Sequence, residues 1–373
     1  MINMKILLVT HWYPPSTGGV ASHVYELKRQ LQSMGHKVKV LTTSPRSSYD
    51  GVISLEPYRI DKIRSTLKSF KPEIIHVHHA FTPLSLISII FSSKSSIPVI
   101  LTNHSAYFYD YDVALKTLGL AALPIKYILG KVDNVIAVSN IAKKFIDSFL
   151  LGKRAKVIPN GVDTRKYTPD GEKITSESLL GDPTILFVGR LVYRKGPWVL
   201  LDALKSVVSE YPKAKLLIVG EGPYLLSLLE KTRKLSLRGN VEFLGYVKQS
   251  DLPRIYRSAD IFVMPSIFGE AFGIVLLEAM ASRLPVIASR VGGIQEIIDN
   301  CIDGILVPPK SHRAISKSII DLYSDRKLMN WLAYNARLKA VKKYDWNIIA
   351  RKICSEYSIT LNQKSPLPHI SAK

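Results

Sequence analysis

Apolar residues along this chain form short runs that alternate with longer stretches of helical periodicity. In the first half, Val20, Val24, Leu27 and Leu31 recur at helical spacing between two such runs. The alternation restarts near residue 184. Strands are predicted at 5–10, 38–42, 74–77, 99–101 and 135–138, and again at 184–188, 216–219, 241–244, 261–264 and 286–288. Buried parallel strands covered by helices on both faces give this pattern, so we predict two doubly wound α/β domains.

A length of 373 residues also suits two domains, because a single core rarely grows so large. Residues 163–183 are polar and contain prolines and glycines, which favour turns. We therefore predict a first domain over 1–165, a linker over 166–183 and a second domain over 184–345. A helix is predicted over 346–361 and a flexible tail over 362–373.

Charge indicates an anionic partner. The chain has 51 basic and 30 acidic residues, a net charge of +21, which suits a phosphorylated ligand, an acidic membrane surface or nucleic acid. A nucleic-acid binder would need a basic groove with aromatic platforms or a recognition motif, and the sequence shows neither. We predict no nucleic-acid partner.

Hydropathy and cysteine content favour a cytosolic protein. The amino-terminal apolar run is too short for a signal peptide, and nothing approaches the roughly 18 to 20 apolar residues of a spanning helix. Cys301 and Cys354 cannot form a disulfide framework, and we interpret both as buried thiols.

Gly18 and Gly19 follow the first strand and precede a helix. Glycines there let the backbone approach an anion at the helix amino terminus, although a tight turn without a ligand has the same sequence. A dehydrogenase fingerprint would place a third glycine where Ser22 stands, so nicotinamide binding is disfavoured. We predict no cofactor.

Arg190 and Lys195 follow the first strand of the second half, in the stretch GRLVYRKG. Ligands of open α/β sheets bind beyond the carboxyl ends of strands, where two cations would neutralise a diphosphate. The alternative is a solvated basic loop.

Two glutamates lie in the stretch FGEAFGIVLLEAMA, at residues 268–281. Glu270 precedes a helix predicted to begin near Phe272 and Gly273, whose first N–H groups would hold phosphate oxygens. Glu278 lies among apolar residues, where a carboxylate needs hydrogen-bond donors. Sugar and ribose hydroxyls would supply them, and a buried ion pair or helix-end contact is the structural alternative.

Together, Arg190, Lys195 and the two glutamates separated by seven residues resemble the signature of retaining glycosyltransferases of the GT-B fold, in family four. Further stretches agree: GGVASHVYELKRQLQSMGHKVKVLT, IPNGVD, GEGP and SRLPVIASRVGGIQEII. The resemblance covers nearly the whole chain.

This resemblance implies two Rossmann-like domains facing across a cleft, with the acceptor mostly on the first and the nucleotide sugar mostly on the second. It also implies that the last helix crosses back to the first domain. Arg190 and Lys195 would bind the diphosphate, Glu278 the ribose and Glu270 the transferred sugar. Further donor contacts would come from Gly19, Ala271, Phe272, Gly273, Ile274 and Val275, and acceptor contacts from Gly18, Gly19 and His104.

His104, in LTNHS, resembles the active-site histidine of related enzymes, so the expected catalytic residues are His104, Arg190, Lys195 and Glu270. The family's retention is usually assigned to front-face attack, in which the leaving phosphate helps to remove the acceptor's proton. No metal would then be required. Asp110 and Asp112 have the spacing of a metal-binding motif but not its strand-end context. The histidines at 76, 78 and 79 cannot all converge, because adjacent strand residues face opposite ways.

Within the family, HAFTPLSLISIIFSS, LTNHSAYF and RLVYRKG resemble enzymes that transfer N-acetylglucosamine to phosphatidylinositol. That similarity favours a uridine nucleotide donor and a lipid acceptor, while GDP-mannose and a soluble acceptor remain alternatives. Docking on the cytoplasmic face of an anionic membrane would use Lys28, Arg29, Lys37 and Lys39, unless they form an ordinary solvated face. An epimerase, a phosphorylase and an inactive partner are less well matched by the charged motif.

Overall fold

The computed structural model describes residues 3–45, 49–55, 59–107, 122–174, 176 and 179–364. The chain forms two compact units: unit 1 comprises Met1–Asn160 and Trp346–Lys373, and unit 2 comprises Gly161–Asp345. Residues 166–183, which we expected to link two domains, lie inside unit 2. Tyr167 is 4% exposed there, and the Ile174 amide donates to Ser258 Oγ at 2.7 Å.

Unit 1 contains a seven-stranded sheet in the order β3-β2-β1-β4-β5-β6-β7, among its described residues. The strands are β1 (Lys5–Thr10), β2 (Lys37–Thr42), β3 (Val52–Ser54), β4 (Ile74–His78), β5 (Val99–Asn103), β6 (Asn134–Ala137) and β7 (Lys156–Val157). The helices are α1 (Gly19–Ser33), α2 (Ile60–Phe70), α3 (Pro83–Lys94), α4 (Ala122–Leu129) and α5 (Asn140–Asp147). Every described strand pair is parallel, as predicted.

Unit 2 also contains a parallel sheet covered by helices. Its six strands, among the described residues, have the order β10-β9-β8-β11-β12-β13. The strands are β8 (Thr184–Val188), β9 (Lys215–Val219), β10 (Val241–Gly245), β11 (Ile261–Met264), β12 (Val286–Ser289) and β13 (Ile305–Val307). The helices are α6 (Pro197–Glu210), α7 (Leu225–Lys234), α8 (Leu252–Ser258), α9 (Ile274–Ala281), α10 (Ile294–Ile297), α11 (His312–Ser324) and α12 (Arg326–Lys339). A π-helical turn, Ala340–Tyr344, follows α12. The predicted α/β fold class is confirmed.

The last helix, α13 (Trp346–Lys364), packs into the core of unit 1. Trp346, Ile349, Ile353 and Tyr357 are at most 2% exposed and join the core cluster that contains β1 and α1. The Tyr357 hydroxyl lies 2.7 Å from His76 Nδ1, and Glu356 pairs with Lys156 at 2.5 Å. Unit 1 is therefore built from two segments that are far apart along the chain. Helix α13 includes the first three residues of the predicted tail, and the remainder lies outside the described residues.

The basic docking face predicted near α1 loses one of its four cations to burial. Lys28 is 6% exposed, and its ammonium group donates to the Asp50 carbonyl. Arg29 pairs with Glu26 at 2.8 Å, and the Lys39 ammonium lies 5.0 Å from the Phe70 ring centroid. Helix α1 directs the stem of Lys28 inward, so Lys28 does not contribute to a cationic surface, whereas Arg29 and Lys37 are exposed.

Two further observations bear on the earlier expectations. Cys354 is buried as predicted, but Cys301 is exposed, because it lies in the turn before β13 and not in a core element. Across the described ranges, no helix has both the length and the apolarity needed to cross a membrane.

Candidate functional site

The predicted site residues of unit 2 lie at the point where its strand order reverses. Strands β8 and β11 are neighbours in the sheet, and the chain leaves them in opposite directions across it. Such a switch point forms a crevice at the carboxyl ends of the strands, where ligands of open α/β sheets bind. Lys195 lies on the loop after β8 and Glu270 on the loop after β11.

These two loops meet in a buried ion pair. Lys195 Nζ lies 2.7 Å from Glu270 Oε1, and both side chains are largely buried, with 16% and 5% exposed. The Ser266 hydroxyl donates to the same oxygen at 2.8 Å. Arg194 Nη1 lies 3.5 Å from it and donates to the Gly269 carbonyl at 3.0 Å. The pair therefore joins the two loops across the switch point.

The ionisation of the pair follows from this geometry. Burial alone would raise the pKa of Glu270, but Lys195, Arg194 and the hydrogen bond from Ser266 outweigh it and lower that pKa. Glu270 is consequently a carboxylate at neutral pH. Burial lowers the pKa of Lys195, and the charge of Glu270 opposes that shift. One ammonium hydrogen of Lys195 serves Glu270, and its other donors can serve a ligand.

The loop that carries Glu270 packs against two glycines that follow β12. The Gly293 amide donates to the Glu270 carbonyl at 2.8 Å. A Cβ at Gly292 would lie 2.1 Å from that carbonyl oxygen, and one at Gly293 would lie 2.2 Å from the Ala271 oxygen. No side chain fits at either position without displacing the loop. The stretch RVGGIQEII thus supports the position of Glu270.

Helix α9 begins at Ile274, directly after this loop, with Gly273 as its N-cap at φ 114°. The first N–H groups of a helix have no acceptor within the helix and attract anions. Ala271, Gly273, Ile274 and Val275 are half-buried and Phe272 is buried. Arg190 is exposed on the β8 loop. Cationic and amide donors therefore lie at both loops of the switch point.

Glu278 lies further along α9 and is 7% exposed. The Tyr256 hydroxyl donates to Glu278 Oε2 at 2.9 Å. Burial first, and Glu278 second, raise the pKa of Tyr256 well above its ordinary value, so the phenol keeps its proton. The requirement of Glu278 for donors, which we assigned to ligand hydroxyls, is thus met in part by a side chain of helix α8.

The switch point of unit 1 lies between β1 and β4. Gly18, at φ 124°, precedes α1, and Gly19 is its first residue; both are exposed. The loop before them is attached to the end of β2, since Ser44 Oγ accepts from the Tyr13 amide at 2.7 Å. The loop that leads into α1 is therefore fixed to β2, and the space around Gly18 at the start of α1 is open.

His104 follows β5 and joins two other imidazoles. Its Nε2 lies 3.3 Å from Nδ1 of His78, the last residue of β4, and its ring lies 4.7 Å from the ring of His23 on α1. Burial lowers the pKa of His78 and His104 well below the ordinary value, and that of His23 to about 4. All three are neutral at physiological pH.

These three histidines are also the group that could hold a metal ion among the described residues, because their ligand nitrogens lie within 4.8 Å of one another. The run of His76, His78 and His79 was predicted not to converge on one ion. His76 bonds Tyr357 and Thr102, and His79 lies 3.2 Å from Ser105 Oγ, so that run does not converge. The Asp110 and Asp112 motif lies outside the described residues.

Sequence reasoning missed three residues of the unit 2 site. Arg194 lies in the same basic stretch as Lys195, and Ser266 follows β11 four residues before Glu270, so both had a positional signal. Tyr256 lies 22 residues before Glu278 on another helix, and no local pattern indicates their contact.

Two family models match the chain. The model for glycosyl transferases group 1 matches residues 172–339, and the model for glycosyltransferase family 4 matches residues 17–166. An uncharacterised glycosyltransferase of Methanocaldococcus jannaschii is 31% identical over 96% of this chain and 99% of its own length. A phosphatidyl-myo-inositol mannosyltransferase of Mycolicibacterium smegmatis is 30% identical, covering 95% and 93%. The gpi3 subunit of the phosphatidylinositol N-acetylglucosaminyltransferase of Schizosaccharomyces pombe is 27% identical, covering 95% and 82%.

Solved structures share the fold. Sucrose-phosphate synthase from Thermosynechococcus elongatus superposes with a TM-score of 0.79 at 22% identity, over 97% of this chain and 100% of that one. Anabaena HepE, solved in complex with UDP-glucose, gives 0.80 at 21% identity, over 96% and 100%. The fold is GT-B, with two Rossmann-like domains.

Proposed function

Because the chain belongs to glycosyltransferase family 4, we propose that it transfers a hexose, with retention and without a metal, from a UDP-sugar to a membrane lipid. Donor binding is assigned to unit 2 and acceptor binding to unit 1. The proposed location is the cytoplasmic face of a membrane, where the protein would bind peripherally.

The observation that carries this proposal is the buried pair of Lys195 and Glu270. A buried ion pair between two loops is costly to desolvate and adds little to stability by itself. The pair lies at the switch point of a parallel sheet, which is where a nucleotide would bind. We assign Lys195 to the diphosphate and Glu270 to the transferred sugar.

The chemistry follows from where charge develops. Cleavage at the anomeric carbon gives the sugar oxocarbenium character and leaves negative charge on the diphosphate. Lys195, Arg190 and the amides at the start of α9 would stabilise that leaving group. Front-face attack would use the leaving phosphate to accept the acceptor's proton, so no enzyme nucleophile is assigned.

Unit 1 would receive the acceptor near Gly18, Gly19 and His104. A neutral His104 can donate one hydrogen bond and accept another, which suits a hydroxyl group. His78 limits the choice, because one of the two facing nitrogens, His78 Nδ1 or His104 Nε2, must carry the hydrogen of the bond between them and the other must accept it. We therefore propose His78 as the residue that sets the tautomer of His104.

Two relatives support a lipid acceptor, since their names specify phosphatidylinositol and phosphatidyl-myo-inositol. They disagree on the sugar, one being an N-acetylglucosaminyltransferase and the other a mannosyltransferase. GDP-mannose is therefore the alternative donor, and a soluble glycan is the alternative acceptor.

A donor panel tests the proposal. We expect the purified protein to release UDP from one of UDP-glucose, UDP-galactose and UDP-N-acetylglucosamine in EDTA, faster when phosphatidylinositol or diacylglycerol vesicles are present. Product anomers would be read by NMR. An α-linked product from an α-linked donor is expected. Turnover only with GDP-mannose, only with added divalent metal, or with inversion would each contradict one part of the proposal.

The ribose assignment gives a second prediction. Glu278→Gln keeps the size of the side chain but removes its charge, so we expect the KM for the donor to rise about 10- to 100-fold, as for a lost hydrogen bond to a charged group. Tyr256→Phe removes only the protein donor to Glu278 and should raise KM less. Steady-state kinetics over donor concentration measure both effects.

Tyr246→Phe is the matched control for Tyr256→Phe, because Tyr246 is 55% exposed in the same unit. Unchanged donor KM in Glu278→Gln, with thermal stability also unchanged, would remove Glu278 from the nucleotide site.

A further inference from the structure

Helix α12 and the turn after it expose an unusual apolar face. We define the α12 apolar face as five residues: Leu328, Trp331, Tyr334, Leu338 and Val341. Their side chains are 38%, 48%, 54%, 38% and 37% exposed, in that order. Their spacings of three, three, four and three residues place them along one side of the helix. The opposite side is already buried, with Met329, Leu332, Ala333 and Ala336 in the interior of unit 2.

This arrangement departs from ordinary amphipathicity, because both sides of the helix carry apolar residues. A surface helix normally turns polar residues to water once its apolar side is buried. Here the water-facing side carries a tryptophan, a tyrosine and three aliphatic residues at helical spacing. Contiguous exposed apolar surface of this kind marks an interaction site.

The charge around the face selects the class of partner. Residues 326–344 contain six basic and no acidic side chains. Three of the six have structural roles. Arg337 donates to the Ala281 carbonyl at 2.6 Å, Lys339 pairs with Asp303 at 2.6 Å, and the Arg326 guanidinium lies 3.8 Å from the Tyr323 ring centroid. Lys327 and Lys342 are exposed, and in the described part of the chain no carboxylate lies within ion-pair distance of either.

Three more charged groups lie near the face. The Asp299 carboxylate, 60% exposed, pairs with Lys339 at 2.9 Å. The Arg283 guanidinium lies 5.9 Å from the Tyr334 ring centroid and adds a cation beside it. Asp325, the nearest acidic residue in sequence, caps the helix by accepting from the Lys327 and Leu328 amides. The margin of the face is therefore cationic.

We propose that the α12 apolar face docks unit 2 onto an anionic lipid bilayer. Tryptophan and tyrosine suit the headgroup region because one end of each ring system is apolar and the other polar, and lysines beside them attract anionic headgroups. The inference rests on the proposed function, because an enzyme with a lipid acceptor has to bind at the membrane that contains that lipid. It places a docking surface on unit 2, separate from the basic residues predicted near α1, of which Lys28 is buried.

Vesicle binding tests it directly, without donor or acceptor. We expect the full chain to co-sediment with phosphatidylcholine vesicles containing about a third phosphatidylglycerol, and to bind pure phosphatidylcholine at least tenfold more weakly. Trp331→Ser and Leu338→Ser should each weaken binding about tenfold. Lys342→Gln should weaken it about threefold at low salt and have no effect at high salt.

Matched controls lie on other helices of the same unit. Leu226→Ser on α7, where Leu226 is 78% exposed, and Lys317→Gln on α11 should leave binding unchanged. Brominated lipids should quench fluorescence in the wild type and not in Trp331→Phe. Thermal unfolding shows that each variant is folded.

Three results would overturn the proposal. They are equal binding to neutral and anionic vesicles, wild-type binding by both Trp331→Ser and Leu338→Ser, and concentration-dependent dimerisation that these two variants abolish. UDP release in detergent, measured on the same proteins, reports separately on the proposed transferase activity.

Discussion

Lys195→Met should lower kcat/KM for the nucleotide sugar at least a hundredfold. The substitution removes the cation assigned to the leaving diphosphate, and a preorganised donor of this kind is worth about 10²- to 10³-fold in rate. It also leaves Glu270 without its closest partner, with Arg194 and Ser266 still in contact. Breaking a buried pair on one side costs about 3 kcal/mol of unfolding free energy. Initial rates and urea unfolding measure the two losses.

The double variant Lys195→Met with Glu270→Gln separates these losses. Removing both charges should restore most of the stability but none of the activity, because an apolar or neutral replacement of a buried pair is often tolerated. Lys317→Met is the control, since Lys317 pairs with Asp321 on the surface of the same unit with side chains 76% and 56% exposed. Rates within about threefold of wild type in Lys195→Met would contradict the diphosphate assignment.

Acidification between pH 7 and 5 should unfold unit 1 selectively. Burial lowers the pKa of His23 to about 4 and those of His76 and His79 to about 3. The unfolded chain, with an ordinary histidine pKa near 6.5, therefore binds protons first as the pH falls. Stability is fully present above that pKa and is lost as pH falls toward the folded values. The loss at pH 5 is about 2 kcal/mol per histidine, or roughly 6 kcal/mol for three.

Hydrogen exchange read by mass spectrometry resolves the two units. Peptides from unit 1 should lose protection between pH 7 and 5, after correction for the intrinsic exchange rate, while peptides from unit 2 keep theirs. His76→Gln offers a non-titrating side chain between Tyr357 and Thr102 and should reduce the pH dependence by about one proton. Equal loss of protection in both units would contradict this prediction.

Most strands were predictable because they are buried on both faces. Strand β1 reads KILLVT and β8 reads TILFV, and their interior positions are fully buried. Strands β3, β7 and β13 were not predicted. They are two or three residues long and mostly half-exposed or exposed, and the apolar run of β13, Ile305–Val307, is too short to distinguish a strand from a loop. Edge strands of this kind depend on the neighbouring strand for their conformation.

The candidate site was predictable where it follows strand ends. Lys195 and Glu270 come directly after β8 and β11, so the parallel topology alone places their loops together. The contact of Tyr256 with Glu278 depends on how α8 packs against α9. The cluster of His23, His78 and His104 combines residues of a helix, a strand and the loop after another strand. Such contacts depend on tertiary packing, which has no periodicity in the sequence.

The position of α13 determines when unit 1 can be completed. Ribosomes deliver Met1–Asn160 before unit 2, but the core that includes Ile6 and Leu27 also needs Trp346 and Tyr357. Unit 2 is synthesised in full before those residues are made. Met1–Asn160 therefore lacks part of its core throughout the synthesis of unit 2. It can reach its native state only after unit 2 has been made.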